Sequence, residues 1–221
     1  MTSTSSPRDH AHPRWQRRKE ARPAEILDAA LQEFATRGFA AARLEDIARR
    51  AGCTKGTIFL YFANKEELFK AIVREYLLPA IDEAEARVAS HDGPPSELLR
   101  ELVRTRWDMM VHSRLSALPK LVISEAGNFP DLVQYFYDEV VARSHAVFAR
   151  VLRAGVEQGE FRDLDVQYVT RALMAPMIVA ALWKHTIQRN SAIAIDPEKY
   201  FETSLDLLMT GLARPAAGGN R

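Results

Sequence analysis

The sequence predicts an all-α protein. Apolar residues recur at the three- and four-residue spacing of amphipathic helices along most of the chain. Gly and Pro fall mainly at the edges of these segments, where they end helices or form turns. No stretch shows a convincing β-strand pattern, and no internal repeat is present. Hydrophobic residues make up 47% of the 221 residues, which is ample for a packed core in one or two domains.

Charge is distributed unevenly along the chain. The net charge is only +1, but residues 1–75 contain 14 Lys and Arg against 10 Asp and Glu, whereas the remainder contains 16 against 19. This contrast suits a front part that faces a polyanion and a separate second part. The single cysteine, Cys53, excludes a disulfide within the chain. Because there is no signal peptide and no run of about 18 apolar residues, we expect a cytoplasmic protein without membrane contact.

The N-terminal segment is predicted to be a disordered basic arm over residues 1–21, because it is rich in Ser, Pro, His and Arg and lacks apolar periodicity. The arm is either a solvated tail or an extension that contacts phosphates or a minor groove. The first helix should begin near Pro23, which suits the first helical position, and should end at Gly38.

Two short helices and a tight turn are expected next. The second helix is predicted from about Arg43 to Ala51, and Gly52 permits the positive φ that a turn requires. The third helix should be capped by Thr54 and should run to about Tyr61.

The rest of the chain also has helical patterns. Asn64 should cap a fourth helix that runs to about residue 88 with a kink at Pro79. Further helices are expected over residues 97–111, 115–125, 131–157 and 166–188, and the last begins at Pro197 and ends near residue 212. We therefore divide the chain into the arm, a helix-turn-helix domain over residues 22–75, a larger helical domain over residues 76–213 and a disordered tail over residues 214–221.

Residues 43–65, RLEDIARRAGCTKGTIFLYFANK, have the chemistry of a helix-turn-helix that reads DNA. The N-terminus of a recognition helix must carry small or polar residues to enter the major groove. Gly56 permits close backbone approach, and Lys55 and Thr57 can reach base edges or phosphates. The groups that suit phosphate contacts are Thr54, Tyr61 and Lys65. Taken singly, several of these residues could instead be helix caps or core aromatics.

From about Ala24 to Val73 the chain resembles the tetracycline-repressor (TetR) family of bacterial transcription regulators. The resemblance is carried by ILDAALQEFATRGFAAARLEDIARRAG, TKGTIFLYF and NKEELF, which span the family's DNA-binding domain. It implies a homodimer that binds a palindromic operator, usually as a repressor, and a C-terminal domain for ligand binding and dimerisation. By position it implies groove-facing Lys55, Gly56, Thr57 and Phe59. The residues it places at or near phosphates are Thr54, Leu60, Tyr61 and Lys65.

Several positions depart from the family pattern. Ala42 and Arg43 stand where members commonly have Thr or Ser, so Arg43 would contact phosphate by charge instead. Phe59 replaces the usual Tyr and leaves an apolar contact, for example with a thymine methyl. Leu60 replaces a more polar residue. Cys53 replaces a small aliphatic residue and is either a buried turn residue or a redox switch.

The C-terminal part offers candidates for a ligand pocket. Aromatic and Met side chains suit an apolar ligand, although each could equally belong to the core. The candidate pocket residues are Trp107, Met110, Phe136, Tyr137, Phe148, Met174, Met177 and Trp183. Three histidines, His112, His145 and His185, either add polar contacts inside or lie on the surface.

The last two helices offer candidates for a dimer interface. The resemblance favours a two-fold four-helix contact between protomers, and packing within one protomer is the alternative. A two-fold dimer would place the recognition helices about 34–36 Å apart. The candidate interface residues are Val169, Leu173, Ile178, Ala181, Phe201, Leu205 and Leu208.

No catalytic chemistry is expected. The sequence has no HExxH motif, no Cys/His cluster and no Gly-rich phosphate loop, so we expect no metal or cofactor and name no catalytic residue. The alternative function is a helical small-molecule carrier or enzyme with a vestigial helix-turn-helix. The sequence distinguishes neither repression from activation nor one effector from another.

Overall fold

The computed structural model describes residues 14–188 and 195–215, and within these ranges the protein is all-helical, as predicted. Its only β-type pairing there is an isolated bridge between Phe161 and Ala213. The helices are α1 Arg14–Arg37, α2 Leu44–Arg50, α3 Lys55–Phe59, α4 Lys65–Tyr76, α5 Leu78–Ser90, α6 Pro95–Trp107, α7 Leu118–Glu125, α8 Pro130–Phe136, α9 Arg143–Glu157, α10 Val166–His185 and α11 Pro197–Leu212. The π-helical turns Asp108–His112 and Tyr137–Ala142 and the 3₁₀ turn Arg114–Ala117 continue or connect the helices of the C-terminal part.

The first helix is longer than the sequence predicted. It begins at Arg14, so it includes residues 14–21 of the predicted arm, and Pro23 lies inside it. The residues just before Pro23 are mostly strong helix formers, and they continue the helix past the missing backbone donor. Residues 1–13 of the predicted arm, and residues 216–221 of the predicted tail, lie outside the described ranges.

Predicted caps and breaks account for the other helix boundaries. Thr54, Asn64 and Asp196 each accept a hydrogen bond from a backbone N–H in the first turn of the helix that follows. The predicted fourth helix is two helices, α4 and α5, separated at Leu77. Pro79 lies in the first turn of α5, where its missing N–H costs nothing, so the chain restarts a helix instead of bending one.

Two buried clusters form the core, and their division differs from the predicted domain boundary. The first cluster joins α1–α5 to side chains of α7, α8 and the adjoining turns, extending from Ile26 to Val140. The second joins α6, α9, α10 and α11 around Trp107 and Phe201, whose rings lie 4.8 Å apart. The helix-turn-helix therefore shares a continuous apolar core with part of the C-terminal half.

Helix α10 has an apolar character on both of its faces. Among the described residues it alone has the length and hydropathy of a membrane span, although the sequence lacks an uninterrupted run of about 18 apolar residues. Core helices of soluble proteins meet the same criterion, so this is weak evidence for a membrane. Only 28% of the apolar window is buried, and the exposed side includes Tyr168, Ala172, Ala175 and Val179, spaced along one face.

Candidate nucleic-acid interface and internal cavity

Helix α3 is anchored by one core residue and exposes the rest of its surface. Ile58 is completely buried, whereas Phe59, Leu60 and Tyr61 are 48%, 79% and 37% exposed. Three consecutive large apolar or aromatic side chains therefore lie at the surface, at the end of α3 and just after it. Their exposure removes the core interpretation of Phe59 and indicates that this end of α3 contacts a partner.

The start of α3 presents small polar groups and a glycine. The Thr54 hydroxyl caps the helix by accepting from the N–H of Thr57, and the two hydroxyls lie 2.9 Å apart. Gly56 has no positive φ, and a Cβ there would meet nothing closer than the Thr54 hydroxyl at 3.7 Å. Neither the backbone nor the packing of the protomer therefore requires glycine at position 56, although glycine disfavours a helix. The close approach of an external partner is a reason that remains.

Lys55 is held by an acid of the preceding helix. Its Nζ lies 2.6 Å from Oε1 of Glu45 and 5.7 Å from the centre of the Phe59 ring. The hydrogen bond from Lys55 is the main cause that lowers the pKa of Glu45. Both side chains are about half exposed, so the pair is weak and Lys55 can exchange this partner for another anion.

Lys65 is bonded to the protein backbone. Its Nζ donates to the carbonyl oxygens of Phe39, Ala40 and Ala42 at 2.5, 3.0 and 3.1 Å, and it lies 4.6 Å from the centre of the Phe39 ring. Burial is the largest cause acting on Lys65 and lowers its pKa. An ammonium has three donors, so all three are occupied in this structure. Lys65 therefore fixes the loop before α2, which differs from the predicted phosphate contact.

Arg43, just before α2, and Gly52, in the turn between α2 and α3, have different roles. Arg43 is exposed at the N-cap position of α2 and makes no side-chain cap, so its charge is available to a partner. Gly52 has a φ of +64°, the left-handed conformation that the turn between α2 and α3 requires. Cys53 is partly buried and packs against the first cluster.

A second feature is an internal cavity of about 200 Å³ between the C-terminal helices. Its walls are mostly apolar and come from the ends of α6 and α8, from the middle of α10, from α7, from the start of α9 and from the adjoining turns. Ile123 and Tyr137 line it and are also exposed, which indicates that it reaches the surface near them. The polar side chains that line it include Arg106, Ser144 and His145.

The predicted pocket residues divide between cavity and core. Those that line the cavity are Met110, Phe136, Tyr137 and Met174. Trp107 and Met177 are buried in the second cluster, because their side chains point between α6, α10 and α11. Phe148 is in the same cluster and borders a smaller adjacent void. Trp183 is partly buried and lines neither space. Of the three histidines, His145 lines the cavity, while His112 contacts Glu198 and His185 contacts Ser116.

Most of the predicted dimer residues are used within the protomer. Leu173, Ala181, Phe201 and Leu205 are at most 7% exposed, and Ile178 lines the cavity, so these five side chains pack within the protomer. Val169 and Leu208 are partly buried against the second cluster. The spacing of apolar residues identifies the apolar faces of each helix. It does not show which of two apolar faces points out of the protomer. The outward residues are Tyr168, Ala172, Ala175 and Val179 on α10 and Leu207 on α11.

Two polar contacts, which were not predicted from the sequence, link the cavity walls to the DNA-binding domain. Glu125, buried at the end of α7, accepts a hydrogen bond at Oε1 from the N–H of Ala40 at 3.0 Å. At the other contact, Asp28 accepts from the Tyr76 hydroxyl at 2.6 Å and pairs with Arg114, whose guanidinium lies over the Tyr76 ring. Burial and Asp28 raise the pKa of Tyr76 to about 12. The sequence feature that could have identified Glu125 is its position on the buried stripe of α7.

The described residues hold no group of three or more His, Cys, Asp or Glu side chains placed to bind a metal ion. A helix-turn-helix with an exposed second helix, joined to a helical body, defines the molecule as a DNA-binding transcription regulator. Residues 26–72 match the family described as "Bacterial regulatory proteins, tetR family", and residues 97–200 match "AefR-like transcriptional repressor, C-terminal domain". The chain belongs to the TetR family of transcriptional repressors, a non-enzymatic family, and binds DNA through its helix-turn-helix.

Similar proteins agree over almost the full length. The HTH-type transcriptional repressor KstR2 of Rhodococcus jostii is 30% identical over 201 residues, covering 89% of this chain and 94% of that protein. The structure of the ketosteroid regulator KstR2 of Mycobacterium tuberculosis is 25% identical, with a TM-score of 0.65 and coverage of 87% and 95%. FadR of Bacillus subtilis, solved in complex with stearoyl-CoA, is 22% identical, with a TM-score of 0.68 and coverage of 86% and 98%. The FadR likeness shows a shared fold.

Proposed function

We propose that the protein is a homodimeric repressor that binds a palindromic operator and is released by a small apolar or amphipathic ligand. The observation that carries this proposal is the linkage of an apolar cavity to the helix-turn-helix through α7. Leu118, Val122 and Ile123 of α7 line the cavity, and Glu125 of the same helix holds the loop before α2. A ligand that shifts α7 would therefore shift the helix-turn-helix.

The DNA contacts that we propose begin with the polar start of α3. Lys55 and Thr57 would read base edges, Gly56 would allow the backbone to enter the groove, and Phe59 would add an apolar contact. The residues that would hold the phosphates are Arg43, Thr54, Leu60 through its backbone, and Tyr61. The pairing of Lys65 with three carbonyls argues against a phosphate role for that residue.

The dimer that we propose uses the outward faces of α10 and α11. Tyr168 and Leu207 are each 68% exposed and Val179 is 46% exposed, so large apolar side chains lie at the surface of both helices. Two copies of these helices would form an isologous four-helix contact that covers this apolar surface. The same contact explains why a helix with membrane-like hydropathy is so incompletely buried by its own protomer.

The ligand class has support from the relatives as well as from the cavity. Relatives named for ketosteroid regulation and fatty acid metabolism, and a FadR structure with stearoyl-CoA, share this fold over most of the chain. A mostly apolar cavity is the matching feature in this protein. We therefore propose a ligand with an acyl or steroid-like apolar body.

The experiment that tests the function is selection of bound sequences from a random DNA pool by the full-length protein. A two-fold symmetric consensus with half-site centres about one helical turn, or a multiple of it, apart is expected. Failure to enrich any sequence, combined with tight binding of a small molecule, would instead support the carrier or enzyme with a vestigial helix-turn-helix. An enriched sequence without symmetry would contradict the homodimer.

A further inference from the structure

Arg106 is a cation without a counter-ion beside an apolar cavity. It follows Leu99 and Leu102 on the inward stripe of α6 and lines the cavity. Its Nε is inaccessible to solvent and has no hydrogen-bond partner. One other guanidinium nitrogen has a protein contact, a 3.8 Å approach to the sulfur of Met109, which is a weak acceptor. No acidic side chain lines the cavity in the part of the chain that the structure describes.

The charge of Arg106 is unfavourable where it lies. Burial alone lowers its pKa to about 10, and no carboxylate offsets this effect. The guanidinium nevertheless stays protonated at neutral pH. Arg106 as a whole is partly buried, so part of its guanidinium keeps contact with solvent, whereas its buried Nε lacks an acceptor. A buried donor without a partner lowers the stability of a fold, and an acceptor on a bound ligand would satisfy it.

Two neighbouring groups complete a polar end of the cavity. Ser144 is buried and lines the cavity, and its hydroxyl has no hydrogen-bond partner. His145 also lines the cavity, and its pKa is lowered by burial and by the charges of Arg171 and Arg106. His145 is therefore neutral at pH 7. It can take part in a hydrogen bond, but it does not offset the charge of Arg106. Apart from this end, the walls are chiefly aliphatic, aromatic and Met side chains.

We propose that the effector is an amphipathic carboxylate, whose carboxylate binds Arg106 and Ser144 and whose apolar body fills the rest of the cavity. The inference deepens the proposed function, because it rests on this cavity being the effector site. Arg and carboxylate form strong, charge-assisted hydrogen bonds, which gain strength in an apolar site. A cavity of about 200 Å³ holds roughly seven groups of water size, at ~30 Å³ each, which fits the chain of octanoate.

Calorimetric binding of octanoate to the full-length protein tests this inference, with 1-octanol and octanoyl-CoA as comparison probes. Loss of a buried hydrogen bond to a charged group costs about 10- to 100-fold in affinity, so octanol should bind weaker than octanoate by that factor. Each methylene added from butanoate to octanoate should tighten binding about fourfold. Equal binding of octanol and octanoate would overturn the carboxylate assignment, as would tighter binding of octanoyl-CoA that does not depend on Arg106.

Arg106→Met and the matched variant Arg100→Met separate a ligand role from a structural one. Arg100 is an exposed residue of the same helix. Arg106→Met should raise the melting temperature of the free protein and should abolish the preference for octanoate over octanol, while leaving octanol binding intact. Arg100→Met should change neither. If Arg106→Met lowers the melting temperature, or retains the preference, Arg106 is structural and the proposal is wrong.

The DNA-binding readout distinguishes this inference from the proposed function. If octanol and octanoate bind equally and both release DNA, the repressor proposal stands and the carboxylate inference fails. If octanoate binds through Arg106 but operator affinity does not change, the carboxylate site stands and ligand-controlled repression fails.

Discussion

The N–H of Ala40 donates a hydrogen bond to Oε1 of Glu125 across 3.0 Å, joining the loop before α2 to the end of α7. Glu125 is 6% exposed, and its other oxygen accepts from the Asn128 amide. Lys65 reaches the same loop from the opposite direction through the Ala40 carbonyl, and its ammonium is stabilised by the charge of Glu125. The position of the helix-turn-helix therefore depends on a helix that also forms a wall of the ligand cavity.

Glu125→Ala should uncouple ligand from DNA. Without the Glu125 carboxylate, the loop before α2 is no longer held to α7. Filling the cavity with ligand then no longer changes the position of α2. A coupling of 1–3 kcal/mol, or roughly 5- to 150-fold in operator affinity, should fall toward unity. The coupling is measured as the change in operator affinity when octanoate is added. The control is Glu83→Ala, a variant at an exposed position. Unchanged coupling in Glu125→Ala would exclude this contact.

Gly56→Ala should stabilise the protein and weaken its binding to DNA. Alanine is favoured over glycine in a helix by up to about 1 kcal/mol, and the site has room for a Cβ within the protomer. In the complex with DNA, the major groove would occupy the space that this Cβ needs. Thermal unfolding and operator titration measure the two effects, and undiminished DNA affinity in Gly56→Ala would contradict groove entry at this residue.

Glu45→Gln should tighten DNA binding, because it releases Lys55 from its partner in the free protein. Exposed pairs contribute about 0.2–1 kcal/mol, so an increase of up to roughly fivefold is expected. The gain should be compared with that of Glu25→Gln, which makes the same change in net charge at an exposed position of α1. Equal gains in the two variants would mean that the Lys55–Glu45 pair has no specific effect.

Lys65 and Arg43 should respond differently to salt. Lys65→Met removes three donors from backbone carbonyls, so it should lower the free energy of unfolding by about 1–3 kcal/mol and weaken binding to all DNA sequences. Arg43→Ala should leave stability unchanged and should reduce the slope of log affinity against log salt by about 0.9, the value for one phosphate contact. A reduced slope with normal stability in Lys65→Met would restore the phosphate role predicted from the sequence.

Val179→Asp combined with Leu207→Asp should produce a monomer. Both side chains are exposed on the proposed interface, so the charges cost little in an isolated protomer but would be buried in a dimer. Light scattering gives the mass directly. Leu60→Asp, which places a charge on another exposed apolar residue, should remain dimeric. A dimeric double variant would exclude the outward faces of α10 and α11 as the interface.

The sequence predicted the helices and their caps well, because these depend on local patterns. Thr54, Asn64 and Pro197 mark helix starts by chemistry that acts within one turn. Which of two apolar faces points outward on α10 is decided by distant helices, and for that reason the sequence did not show that Leu173 and Ala181 are buried within the protomer. The backbone contacts of Lys65 could not be predicted for the same reason, since its carbonyl partners lie more than twenty residues away. Arg106 and Glu125 lie on the apolar stripes of α6 and α7, so the sequence alone marks both as charged residues at buried positions.

The measurement that tests the central claim most directly is operator affinity of the wild-type protein with and without a ligand in the cavity. The operator is the sequence enriched from the random pool, and the ligands are octanoate and octanoyl-CoA at saturating concentration. At least one ligand should weaken operator binding 5- to 150-fold, and operator DNA should weaken binding of that ligand by the same factor. Unchanged operator affinity with a ligand demonstrably bound in the cavity would contradict the claim that the cavity controls the helix-turn-helix.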